Sequence, residues 1–69
     1  MQLSTCNQWP GTVKTIHHGN IVSEVTLELA PNILVTAIVS KASVESLGLK
    51  IGSKAYALIK STEVSLAID

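Results

Sequence analysis

Phenylalanine is absent from this 69-residue chain, which holds one tryptophan, Trp9, and one tyrosine, Tyr56. Proteins that grip single-stranded nucleic acid stack bases on exposed aromatic side chains, and almost none are available here. An excess of charge is missing too, because five basic and five acidic residues cancel to a net charge of zero. A nucleic-acid partner is therefore not expected, since phosphate binding displaces counterions with clustered lysine and arginine. Cysteine occurs once, as Cys6, which excludes an intrachain disulfide. No Cys/His spacing suits zinc. No apolar run approaches the ~20 residues that span a bilayer, and Met1-Gln2-Leu3 does not open a signal peptide. These absences predict a soluble protein of the reducing cytoplasm with no membrane partner.

What is present is aliphatic. Apolar residues make up 46% of the chain and charged residues only 14%. A single domain over residues 1–69 is expected, and a chain this short buries only about 60% of its unfolded surface. With neither disulfide nor metal to help, association with further copies is the remaining source of burial.

Trp9-Pro10-Gly11 marks a boundary after a polar entry, and Thr12–His17, rich in β-branched residues, reads as a strand. His18-Gly19-Asn20 is turn chemistry. In Ile21–Leu29, Val25, Leu27 and Leu29 alternate with Glu24, Thr26 and Glu28, giving one dry and one wet face. Ala30-Pro31-Asn32 breaks this run. Ile33–Val39 follows and is apolar on both faces, as a strand is when something covers each side. Ser40–Leu49 is the one helix candidate, with Ser40 or Ser43 as N-cap and Gly48 as a left-handed stop. Ala55–Ile59 and Glu63–Ile68 are two alternating runs around the polar break Lys60-Ser61-Thr62. Five short strands with a small helix after the third predict an all-β, five-stranded barrel of the oligonucleotide/oligosaccharide-binding type.

Catalytic chemistry is hard to find. Glu24 and Glu28 share a solvated strand face, His17 and His18 point opposite ways before a turn, and Cys6 has no neighbouring base. No glycine-rich loop cradles a nucleotide. Hydroxyls instead gather at element ends: Ser4 and Thr5, Ser40 and Ser43, Ser61 and Thr62. Each has an ordinary explanation as a cap, a turn residue or a terminal residue. Yet a helix start and two strand corners expose backbone donors, and Lys60 adds a cation, a set suited to a small oxyanion. The competing interpretation is a small oligomerisation barrel with no anion site.

Ser4-Thr5-Cys6-Asn7-Gln8-Trp9-Pro10-Gly11 resembles the opening of the molbindin or Mop-type domain, Ser-Ala-Arg-Asn-Gln, a bulky apolar residue, any residue, then Gly. Glu24–Leu29, Ser43–Leu49 and Ala55–Val64 extend the resemblance along nearly the whole chain in the same order. It implies a cytoplasmic protein that binds molybdate or tungstate. It also implies a homohexamer, a trimer of dimers, with oxyanions between subunits. Carried over by position, Ser4, Ser40, Ser43, Lys60 and Ser61 surround the anion, with backbone N–H groups beside Cys6.

Cys6 stands where the family pattern has arginine, which leaves Lys60 as the main cation. Cys6→Arg is therefore expected to tighten oxyanion binding. A hydrogen bond to a charged group contributes about 1.5–3 kcal/mol against roughly 1 for a neutral one. Calorimetric titration with molybdate measures the difference. Equal affinity in the two proteins would mean that position 6 faces away from the anion.

Overall fold

His18-Gly19-Asn20 and Pro31-Asn32 break the chain into its first three strands. The Gly19 N–H donates to the Val22 carbonyl at 2.8 Å, and a Cβ on Gly19 would lie 2.6 Å from that same oxygen. Only glycine fits so tight a corner. Asn32 has φ of 66°, and proline before a positive-φ residue matches a type II turn. The structure, a computed structural model, describes residues 7–69. In it β1 runs Asn7–His18, β2 Val22–Ala30, β3 Ile33–Ser40, α1 Lys41–Leu47 and β4 Lys54–Ile59, followed by a 3-10 turn over Ser61–Glu63.

The strands form one antiparallel sheet in the order β3-β2-β1-β4. β1 divides itself between neighbours: Asn7 to Thr12 pair with β4, and Thr12 to His18 pair with β2. The handover falls at a bulge. Val13 faces Leu27 and Thr15 faces Thr26, so Lys14 is the extra residue. Beside the bulge, the Val13 N–H donates to the Ser53 carbonyl and the Gly52 N–H to the Val13 carbonyl, each at 2.8 Å. A long strand that changes partners at a bulge bends, and here it curls the sheet into a half-barrel.

Inside the curl lie Val13, Val25, Leu27 and Val44, the buried apolar residues among those described. Ile16, Leu29, Val35, Val39, Leu49, Ala55 and Ala57 pack around them. Helix α1 contributes Val44 and lies against β2 and β3. It ends as expected: Gly48 has φ of 66°, its N–H donates to the Glu45 carbonyl, and the Leu49 N–H donates to that of Val44.

Two expectations need correction. β1 starts at Asn7 and passes through Pro10, where a boundary was expected. Pro10 sits where, among the described residues, β1 has one neighbour only, β4, and such an edge position tolerates a residue without an N–H. The run Glu63–Ile68 forms no strand within the chain. It begins as a 3-10 turn and continues without ladder partners among the described residues, so the described sheet has four strands and stays an open half-barrel. The outer face of β3, expected to meet another copy, is open in the single chain. Leu34 and Ile38 lie opposite Glu28 and Glu24, and each is more than half exposed.

A core this small makes each member count. Val13, 1% exposed, should lose about 2 kcal/mol of stability as Val13→Ala, the transfer of two methyl-sized groups plus a small cavity. Ile21→Ala, at a residue 79% exposed, should stay within about 0.5 kcal/mol of the parent. Urea denaturation at fixed protein concentration measures both, and equal losses would contradict this core.

Candidate oxyanion site

Ser40 ends β3 and caps α1. Its backbone is extended, with φ of −66° and ψ of 148°, and its Oγ accepts from the Ser43 N–H at 3.0 Å. The Ser40 hydroxyl also donates to Ser43 Oγ at 2.7 Å. The spacing produces this pair directly: a capping hydroxyl reaches the N–H three residues on, and the serine there adds its own oxygen. Both residues are exposed. Ser40 thus has its proton directed to Ser43, while the Ser43 hydroxyl proton is left to point outward.

Lys60 stands at the corner after β4. Its backbone is extended, it opens the 3-10 turn, and its side chain makes no capping bond. The turn is closed by Glu63 N–H donating to the Lys60 carbonyl at 2.9 Å and Val64 N–H donating to that of Ser61 at 3.4 Å. The first N–H groups of such a turn, those of Ser61 and Thr62, have no acceptor within it. Cation, hydroxyls and amide donors are therefore gathered on one exposed corner. Asn7, which sequence reasoning took only as part of an opening motif, secures that corner: its Nδ2 donates to the Ile59 carbonyl at 3.1 Å. No periodicity could have revealed this, because the two residues are 52 apart in sequence.

The two groups are not neighbours. At one end of β1, Asn7 pairs with Ile59, the residue before Lys60. At the other end, His18 pairs with Ser23, and next to Ser23 is Val22, which pairs with Ser40. The 12 residues of β1 lie between. At about 3.3 Å per residue, this is some 30 Å or more of strand path. Ser4 and Cys6 lie outside the described residues. Ser40 and Ser43 therefore form one donor group, and Lys60 and Ser61 another.

Among the described residues there is no cluster of three or more His, Cys, Asp or Glu able to hold a metal ion. No described helix is long and apolar enough to cross a membrane. The class defined by these features is a small half-barrel with exposed hydroxyl, amide and ammonium donors at its two ends. The TOBE domain model matches residues 3–66, and the chain belongs to that family.

The relatives include proteins of the same length as this chain. Molybdenum-pterin-binding protein 3 of Clostridium pasteurianum is 42% identical over 66 residues, covering 96% of this chain and 97% of that one. The molybdate-binding protein from Sporomusa ovata superposes with a TM-score of 0.91 at 29% identity, over 99% of this chain and all of that one. The cytoplasmic molybdate-binding protein ModG, solved with molybdate bound, gives a TM-score of 0.94 at 43% identity. That match takes in all of this chain and 49% of ModG.

The cap is separable from any ligand role. Ser40→Ala should cost about 1 kcal/mol of stability, whereas Ser40→Asp, whose carboxylate also accepts from an N–H, should keep most of it. Thermal melts compare the two. Equal destabilisation by both would show that the Ser40 Oγ is not the cap.

Proposed function

We propose that this chain binds molybdate, or tungstate, as an oxyanion and serves in the cytoplasm for storage or buffering of the ion. The observation that carries the reading is its likeness, along its full length, to a protein solved with molybdate bound. In this reading the anion sits between copies of the chain, because the Ser40/Ser43 group and the Lys60/Ser61 group lie at opposite ends of one protomer. The copies assemble as a homo-oligomer, a hexamer by family resemblance, and assembly completes the five-stranded barrel. Ser4 and the backbone beside Cys6 join the donor set. No nucleic-acid partner and no catalytic step belong to this reading.

The donor chemistry favours such a dianion over phosphate. Near neutral pH phosphate carries a proton that needs an acceptor, whereas molybdate carries none. Lys60 supplies charge, Ser43 and Ser61 supply hydroxyl donors, and the 3-10 turn supplies N–H groups. Sulfate has the same protonation state as molybdate, so the size of the assembled pocket discriminates between them.

Lys60→Met tests the proposal. If Lys60 only solubilises a turn, its loss changes stability by about ±0.5 kcal/mol and nothing else. In the proposed site, molybdate affinity should fall at least about tenfold, which corresponds to about 1.4 kcal/mol, with the oligomer intact. Molybdate should raise the melting temperature of the parent and not of the variant, because a ligand stabilises only the state it binds. Calorimetry with sulfate and phosphate as controls completes the measurement. Equal melting shifts in both proteins would remove Lys60 from the site, and no shift in either would favour a structural module without an anion.

A further inference from the structure

Glu63 follows Lys60 by three residues and is the acidic residue in the first turn of the 3-10 element after β4. Its N–H donates to the Lys60 carbonyl at 2.9 Å, which closes one such turn. In that geometry side chains three apart eclipse. Glu63 therefore rises from the same side of the turn as Lys60, about 6 Å along it. Both residues are exposed. The ion pair among the described residues is Lys14–Glu28, at 3.4 Å, and none joins Glu63 to Lys60. The corner thus offers one cation and one carboxylate, neither tied up by the other, beside the free N–H groups of the turn.

An acid in a first turn has an ordinary explanation, since the unpaired N–H groups there favour negative charge. Those are also the groups that an anion at Lys60 uses. We propose that Glu63 is the specificity-determining residue of the Lys60 corner. Its carboxylate repels a bare dianion and accepts a hydrogen bond from an oxyanion that carries a proton. It thereby narrows the preference for molybdate over hydrogen phosphate. The inference rests on the anion reading above and names the residue that limits its selectivity.

The chemistry of the corner singles out this side chain. Lys60 and the backbone N–H groups only donate, and a hydroxyl that accepts brings no charge to the bond. Glu63 is the charged acceptor of the turn. Two negative charges facing one at about 6 Å in water correspond to roughly tenfold in affinity before screening. Salt at about 0.1 M screens over about 10 Å and leaves part of this effect. At about 1 M the length falls to about 3 Å, and little remains. Hydrogen phosphate near neutral pH is a dianion too, but the hydrogen bond its proton donates to the carboxylate offsets the repulsion. Removing the charge therefore moves the two anions by different amounts.

Calorimetry with molybdate, and displacement of molybdate by inorganic phosphate, test the assignment in the full chain at one neutral pH. Glu63→Gln should bind molybdate at least about threefold more tightly at low salt, with phosphate affinity little changed. The molybdate-to-phosphate ratio then rises. Glu63→Asp, which keeps the charge, should keep the parent's ratio. Glu28→Gln removes one negative charge from the middle of the sheet and should also behave as the parent. The gain in Glu63→Gln should vanish at about 1 M salt. An equal gain for both anions, or the same gain in Glu28→Gln, would reduce the effect to net charge and overturn the proposal. Failure of phosphate to displace molybdate from the parent would overturn it too, because the carboxylate would then admit no protonated anion. Molybdate binding by the parent with no change in Glu63→Gln would overturn this inference alone. A parent that binds no molybdate would instead bring down the anion reading, and this inference with it.

Discussion

The inner face of the sheet is larger than this chain can cover. Four strands and a two-turn helix surround Val13, Val25, Leu27 and Val44, and around that cluster the aliphatic face continues to partly open positions such as Val35, Val39 and Leu49. Hydrophobic burial scales with the apolar area removed from water, so a half-barrel holds only a fraction of the stabilisation its composition offers. The constraint traces to the mid-strand bulge of β1. By handing β1 from β4 to β2, it curls the sheet and gives the core its depth. It also leaves β3 and β4 facing each other across a gap.

The same long strand explains the division of the donors. β1 fastens the Lys60 corner at one end, through its pairing with Ile59 and the Asn7 side chain, and the neighbourhood of Ser40 at the other. Donors at both ends belong to element termini, where backbone N–H groups have no partner within the helix or turn itself. An arrangement of this kind presents binding groups outward and in pairs. It suits a ligand held where one copy's cap meets another copy's turn.

Much of this was legible in the residues. The alternation of β2, the glycine stop at Gly48 and the capping hydroxyl at Ser40 are local signals, and the structure reproduces each of them. The start of β1 was not legible, because proline and glycine punctuate turns in most contexts, and only the absence of a second neighbour beside Pro10 lets the strand continue. The last run was read as a strand from its alternation, which describes what the side chains can pair with and not which chain supplies the edge. Nor does spacing reveal that Ser40 and Lys60 lie at opposite ends. That follows from strand order, a long-range property decided by the pairing of β1 with both β2 and β4.

Exposure then links the donors to the unfinished core. An ammonium and a carboxylate paired in water contribute only about 0–1 kcal/mol, because solvent screens them and both side chains lose freedom. Lys60, Ser61, Ser40 and Ser43 are all exposed in the single chain, so a dianion meeting either group alone would be held no better than that. Charge-assisted hydrogen bonds strengthen when water is excluded and the local dielectric falls. In the assembly proposed above, a second copy would exclude that water, drawn in by the same uncovered aliphatic surface that the core leaves open. The weakness of the core and the strength of the proposed oxyanion site would then be two consequences of one geometry. In that assembly, completing the apolar interior between copies would also dry the donors at its ends.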